Sequence, residues 1–298
     1  MNILLCGATG FVGRALMRAL QAEGHHVLPG VSHARGLSDE VVVDYTRDHA
    51  SAVWLPRLAG VDAVINAVGV LRDTPRRPIQ SIHALAPIAL FDACAEVGVQ
   101  RVVQISALGV TQGTSDYAGT KLAADRHLEQ LARQGRLQPT IVRPSVVFGQ
   151  GGSSTALFLN LARLPVRLLP RPVIEARIQP VAVGELAEAV AHLLRSGAAS
   201  LPAWVEAVGP QPVTMAEFVT SLRRQAGRSA GWQWPLPDWV TELSASVGDR
   251  IPASPWCHTS LAMLATDNVA PPGPFAALLG REATSYDRLL ASPAAAAV

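Results

Sequence analysis

Seven residues near the start of the chain constrain its fold more than any others. Gly7-Ala8-Thr9-Gly10-Phe11-Val12-Gly13 follows a short apolar run, residues 3–6, and precedes a segment of helical period, residues 14–23. Glycines spaced in this way at a strand-to-helix junction serve three purposes. The first permits a tight turn, the second lets backbone approach a bound phosphate, and the third lets helix and strand pack closely. The helix start then offers free N–H groups and a positive dipole end to an anion. Gly7, Thr9, Gly10, Phe11, Val12 and Gly13 are therefore the expected cradle for the pyrophosphate of a dinucleotide.

The chain beyond the turn alternates in the manner such a cradle requires. Strands are expected over residues 26–30, 41–44, 61–67, 101–106 and 139–142, with helices over 79–97 and 117–134 between them. Runs such as Val102-Val103-Gln104-Ile105 fit a sheet buried on both faces. This alternation predicts an α/β fold, a doubly wound parallel sheet of the NAD(P)-binding Rossmann type. After Gly149 the pattern loosens, and Pro165, Pro170, Pro172 and Pro180 interrupt it. Residues 1–150 are read as the Rossmann core. Residues 151–298 are read as a smaller, interleaved substrate-side lobe, with about 176–208 returning to the core as a helix (183–195) and a strand (203–208). The final run, 292–298, is expected to fray.

Composition narrows the partners. With 49% apolar residues in 298 there is material for a large core, and a net charge of +2 leaves no footprint for nucleic acid. Cys6, Cys94 and Cys257 are too few and too scattered for a disulfide framework or zinc site and are expected to be buried and inert. His25-His26 has no metal-ligand partner at useful spacing, and no metal is expected. The first residues lack the pattern of a signal peptide, and no apolar run is long enough to span a bilayer. The expected setting is cytoplasmic, with a small-molecule substrate and no membrane insertion. Both a protein partner and a homo-oligomer are compatible with the chain.

The residues after the second strand bear on the choice of dinucleotide. A carboxylate there would hold a ribose 2′-hydroxyl, whereas an arginine would accommodate a 2′-phosphate. The chain reads Val31-Ser32-His33-Ala34-Arg35, with no carboxylate until Asp39. Ser32 and Arg35, with Arg14 approaching the same place, point to NADP, while NAD stays possible.

Ser115-Asp116-Tyr117-Ala118-Gly119-Thr120-Lys121 opens the helix after the fifth strand. Tyr117 and Lys121 fall one turn apart on one face. An ammonium beside a phenol is expected to lower the Tyr pKa and make it a usable proton donor or acceptor.

Taken in order, these features resemble the short-chain dehydrogenase/reductase superfamily. The resemblance rests on the glycine turn, Asn66-Ala67-Val68-Gly69, Ile105-Ser106-Ala107-Leu108-Gly109, the Tyr117/Lys121 pair and Arg143-Pro144-Ser145-Val146-Val147-Phe148-Gly149. The glycine spacing is that of the extended and atypical forms. The chain is most similar to the atypical, epimerase-like subgroup that includes the accessory dinucleotide-binding subunit of respiratory complex I. The resemblance implies that Tyr117 is the general acid/base, Lys121 its ribose-bound partner and Ser106 the residue orienting the substrate. It also implies that Asp44 lies near the adenine, that Ala67, Val68 and Gly69 line the cofactor's path, and that Pro144 and Val146 lie beside the nicotinamide. A single Ser where paired hydroxyls are usual leaves Thr111 or Thr114 as alternatives.

Two functions follow. One is an NAD(P)-dependent oxidoreductase or epimerase-like enzyme acting through Tyr117 on a small substrate. The other is a non-catalytic NADP(H)-binding regulatory, assembly or accessory module. Asn66 is open between a structural bond and a cofactor contact, and His83 is expected to be a packed helical histidine, with reach toward the cofactor side as the alternative. The six tryptophans, at 54, 204, 232, 234, 239 and 256, are read mostly as core or surface-packing residues. Trp232 and Trp234 alternate as in a strand and are also candidates to wall a substrate pocket.

Overall fold

The computed structural model describes residues 1–36, 38–113, 115–195, 201–251, 256, 258, 261 and 266–296. Thr114 and Cys257 lie outside the described residues. In chain order the elements are β1 (Asn2–Cys6), α1 (Phe11–Ala22), β2 (His26–Val31), β3 (Val41–Val42), β4 (Ala63–Asn66), α2 (Ala86–Val97), β5 (Arg101–Ile105), α3 (Asp116–Arg133) and β6 (Gln138–Pro144). Then come β7 (Val147–Phe148), α4 (Ser153–Arg163), β8 (Val166–Pro170), α5 (Arg171–Glu175), β9 (Arg177–Ile178), β10 (Val181–Ala182) and α6 (Val183–Leu193). Last are β11 (Trp204–Ala207), β12 (Val213–Thr214), α7 (Met215–Gln225), β13 (Trp232–Leu236) and α8 (Asp238–Asp249).

Seven strands form one sheet in the order β11-β6-β5-β4-β1-β2-β3. Every pairing from β3 through β6 is parallel. The order reverses between β1 and β4, and in such sheets ligands sit outside the carboxyl ends of the strands at that switch point. β1 and β4 are almost wholly buried, as strands covered on both faces must be.

The chain divides into two compact units. The first comprises Met1–Thr111, Asp116–Arg143 and Leu186–Val205; the second comprises Gln112–Ser115, Pro144–Glu185 and Glu206–Val298. In the first, Trp54, Leu90, Phe91, Leu128 and the inner strand residues form one core, with Cys6 and Cys94 buried inside it. Burial pushes the Cys6 thiol up to about 12 and the Cys94 thiol higher still, so neither ionises at working pH. In the second, Phe148, Phe158 and Phe218 meet edge to face at the centre of a separate core.

One expectation is corrected for the described residues. Residues 292–296 of the terminal run are packed: Ala295 is buried, its carbonyl accepts from Gln150 N–H at 2.9 Å, and a Cβ on Gly184 would lie 2.5 Å from Ala294 O. The tryptophans divide between core and surface: Trp54 is fully buried, whereas Trp204, Trp232, Trp234 and Trp239 are each more than half exposed.

Candidate active site and dinucleotide cradle

The glycine turn is held by constraints of different kinds at each glycine. Gly7 adopts φ +84°, and a Cβ there would lie 3.0 Å from the Ala67 carbonyl, so the turns after β1 and β4 touch. At Gly13 a Cβ would fall 2.0 Å from Gly7 O, which only glycine permits. Gly10 differs. Its backbone is extended at φ −74°, ψ 173°, it is exposed, and its closest neighbour to an added Cβ would be Gly7 O at 3.2 Å. The fold itself asks little for glycine at that position, whereas close approach of a phosphate does. α1 starts there without a side-chain cap or an acid in its first turn, which leaves its N–H groups for an anion. Arg14 donates to Thr9 O at 2.9 Å and so braces the turn. The donor set fits a dinucleotide pyrophosphate.

Around the rim, Ser32 and Arg35 are exposed in the loop after β2. The Glu40 carboxylate folds back onto that loop and accepts from Arg35 N–H at 3.0 Å and Gly36 N–H at 3.3 Å. Spacing along the chain does not reveal this carboxylate, because a turn brings it back to the loop. Asp44 accepts from Thr46 N–H and Oγ1, bonds that hold its carboxyl below the usual range. Asn66 is fully buried and structural: it donates to Gln104 and accepts from Tyr45 OH and Val68 N–H, which fixes the turn carrying Ala67, Val68 and Gly69. Pro144 ends β6, and Val146 follows it in the second unit, packed on that unit's core.

The Tyr–Lys pair stands on α3 with Tyr117 half-buried and Lys121 4% exposed. Lys121 Nζ lies 5.8 Å from the Tyr117 ring centre and donates to Ile105 O at 3.1 Å. The expected lowering of the phenol pKa is not what this geometry gives. Burial, then the charge of Asp125, push Tyr117 up to about 12, because the ammonium is turned toward β5. Burial also brings Lys121 down to about 8, with Asp125 opposing.

Ser106 is buried and its hydroxyl donates to Asp125 Oδ2 at 2.8 Å. Arg143 reaches the same oxygen with Nε and Nη2, both at 3.2 Å. Asp125 is fully buried, and desolvation raises its pKa against these bonds. Residues 117, 121 and 125 share one helix face, a spacing that could have revealed Asp125 in the sequence.

His83 is the second residue that the sequence undervalued. It lies in a π-helical turn (Ser81–Leu85) and is 2% exposed. Its Nε2 accepts from Val70 N–H at 2.9 Å, so the proton of the neutral ring is on Nδ1, 3.2 Å from Thr120 Oγ1. Burial, then the Lys121 charge, push its pKa down to about 2. A Cβ on exposed Gly69 would sit 3.6 Å from Lys121 Nζ and 3.7 Å from His83 Nε2. Gly69, His83, Tyr117 and Lys121 thus meet in one place. Among the described residues no cluster of His, Cys, Asp and Glu is arranged to hold a metal, and no helix is long and apolar enough to cross a membrane.

A glycine cradle at the switch point of a doubly wound sheet, with a Tyr–Lys helix after β5, defines an NAD(P)-binding protein of the extended short-chain dehydrogenase type. The chain belongs to the NAD dependent epimerase/dehydratase family, whose model matches residues 3–202. Among curated relatives, a UDP-glucose 4-epimerase of Vibrio cholerae is 24% identical over 81% of this chain and 80% of its own. A ceramide reductase of Caulobacter vibrioides is 31% identical over 55% of this chain and 52% of its own. Among solved structures, a human epimerase family protein with NADPH superposes with a TM-score of 0.71 at 20% identity, covering 99% of this chain and 97% of that one. MoeE5 in complex with UDP-glucuronic acid and NAD gives 0.67 at 17% identity, covering 96% and 94%. At these identities the structures establish the fold alone.

Proposed function

We propose that the chain is an NAD(P)-dependent oxidoreductase or epimerase-like enzyme in which Tyr117 moves a proton at an oxygen of a small substrate. One observation carries this: Tyr117, Lys121, His83 and Gly69 converge at the carboxyl ends of β4 and β5, in the same unit as the glycine cradle. Gly7, Thr9, Gly10, Phe11, Val12 and Gly13 would hold the pyrophosphate. Ser32 and Arg35 would take a 2′-phosphate, which favours NADP, with Asp44 toward the adenine. Ala67, Val68 and Gly69 would line the path, Lys121 would bond the ribose, and Pro144 and Val146 would flank the nicotinamide. Bound NAD(P) supplies hydride transfer at that nicotinamide.

The phenol of Tyr117, with a pKa of about 12, begins as a proton donor. Returning the proton requires Lys121 to leave Ile105 O and bring its charge to the phenol oxygen. Ser106 contributes indirectly, because its hydroxyl is spent on Asp125, whose charge supports the ammonium of Lys121. One relative is named an epimerase of UDP-glucose and another a ceramide reductase, and for this chain a secondary alcohol or its ketone is the substrate class proposed. Residues 151–298, apart from the part returning to the core, are proposed to supply substrate contacts.

The commitment of Ser106 to Asp125 also favours a second reading, an NADP(H)-binding module without turnover, as in an accessory subunit. Titrating NADPH and NADH, then comparing wild type with Tyr117→Phe in a screen of secondary alcohols and ketones, tests both. Turnover lost in the variant with binding kept supports the enzyme. Tight NADPH binding with no Tyr117-dependent turnover supports the module.

A further inference from the structure

The second unit carries an exposed apolar ribbon that belongs neither to the dinucleotide cradle nor to the Tyr117 site. β8 and β13 form a two-stranded parallel sheet, with Trp232 paired to Val166 and Trp234 to Leu168. Parallel sheets are ordinarily covered on both faces. Here Val166, Leu168, Trp232 and Trp234 are 53%, 59%, 71% and 58% exposed, and the adjoining Leu164 is 48% exposed. The alternate residues of β8, Arg167 and Leu169, are buried.

The ribbon is held rigidly from beneath. Buried Arg167 donates to Ala230 O and Thr220 Oγ1, each at 3.0 Å. Buried Arg223 donates to Ala162 O at 3.0 Å, to Arg163 O at 3.1 Å and to Ser229 O. Trp232 N–H donates to Pro165 O at 2.8 Å. Two guanidiniums bonded to backbone carbonyls and the Thr220 hydroxyl fix both segments with their apolar side chains outward.

The charge along the ribbon is predominantly positive, although exposed Glu175 lines one hollow with Arg171, Gln233 and Pro235. Residues 163–171 and 226–237 contain Arg163, Arg167, Arg171 and Arg228 and no Asp or Glu, in a chain whose net charge is only +2. Arg163, Arg171 and Arg228 are exposed. Exposed tryptophan and aliphatic side chains rimmed by arginine match a bilayer interface, where indole rings settle at headgroup depth and arginines meet phosphates. A second copy of the chain matches poorly, because an isologous contact would set these arginines against their own counterparts.

We propose that the β8–β13 ribbon docks the protein peripherally on an anionic lipid bilayer. Trp232, Trp234, Val166 and Leu168 enter the interface, and Arg163, Arg171 and Arg228 bind headgroup phosphates. No spanning segment is involved, and the docking stands whether or not Tyr117 turns over a substrate.

Sedimentation of the full chain, saturated with NADPH, with phosphatidylcholine vesicles and with vesicles roughly one-third phosphatidylglycerol tests this. The anionic vesicles are expected to bind about tenfold more tightly or better, and added salt to weaken them. The double variant Trp232→Ser/Trp234→Ser should lose about tenfold in vesicle affinity while keeping its melting temperature and NADPH affinity, since both rings are exposed. Replacing Arg163, Arg171 and Arg228 by Gln should abolish the preference for anionic lipid. Absent vesicle binding, or undiminished binding by the tryptophan variant, overturns the proposal. So does a wild-type dimer that the tryptophan variant renders monomeric, or binding to polyglutamate with none to vesicles.

Discussion

His83 stands edge-on to Tyr117, with ring centres 5.2 Å apart and planes at 87°, while its Nε2 holds the backbone of Val70. One imidazole therefore ties the turn after β4 to the helix that carries the Tyr–Lys pair. Its neutral state is built in, since Val70 N–H needs an acceptor and the Lys121 charge opposes a second proton.

Replacing His83 should show which of these bonds matters. Gln can still accept from Val70 N–H but loses the Thr120 bond, whereas Ala loses both and leaves the Val70 donor buried. If His83 positions Tyr117, kcat should fall about tenfold in His83→Gln and further in His83→Ala, with NADPH affinity nearly unchanged. An equal loss of affinity and turnover would mark a merely structural role.

The same residue makes stability depend on pH. Its folded pKa of about 2 lies below its ordinary value of 6.5, so the unfolded chain takes up the proton first as the solution is acidified. The stability due to neutral His83 is complete above pH 6.5 and is lost progressively as pH falls toward 2. Melting temperatures followed from neutral pH downward should fall more steeply for wild type than for His83→Gln.

Lys121 sets a limit on the alkaline side. Burial brings its pKa down to about 8, so the ammonium discharges as pH rises past that value. If the charge is what lets Tyr117 release its proton, kcat/KM should decline above about pH 8. Lys121→Arg, which keeps its charge, should move that decline upward in the pH–rate profile.

The glycines should separate by function. Gly13→Ala places a Cβ 2.0 Å from Gly7 O and should prevent a stable fold. Gly10→Ala meets only a 3.2 Å contact and should fold, with a melting temperature close to wild type. Its NADPH affinity should nonetheless drop by about tenfold or more, because the methyl group occupies the phosphate's approach. Melting curves of both variants and isothermal titration of Gly10→Ala with NADPH check this.

Asp125 is a test of the buried network. Asp125→Ala strands the Arg143 guanidinium, itself 9% exposed, with Glu129 3.7 Å away as its remaining carboxylate. Losing one partner of a buried ion pair costs about 3–5 kcal/mol, which chemical denaturation should register. Ser106→Ala removes a single bond to the same carboxylate and should cost about 1 kcal/mol.

Much of this was legible in the residues. The turn from Gly7 to Gly13 and the alternating strands fixed the sheet and its switch point, because both are local patterns. The Tyr117/Lys121 spacing marked the right helix. Where Lys121 points was not legible, since the acceptor is a backbone carbonyl on β5, and the phenol pKa was consequently expected in the wrong direction. His83 had no visible partner because Val70 and Thr120 are brought to it from 13 and 37 residues away. Glu40 reaches its loop through a turn and was hidden for a similar reason, and which tryptophans face outward was not legible because burial depends on what covers a strand.

The central claim is that Tyr117 is the group that moves a proton beside a bound dinucleotide. Single-turnover absorbance of NADPH with a substrate found in the ketone and alcohol screen, for wild type and Tyr117→Phe, tests it most directly. The account predicts that the variant binds NADPH within a few-fold of wild type but oxidises it at least about a hundredfold more slowly. Equal rates in the two proteins would contradict it.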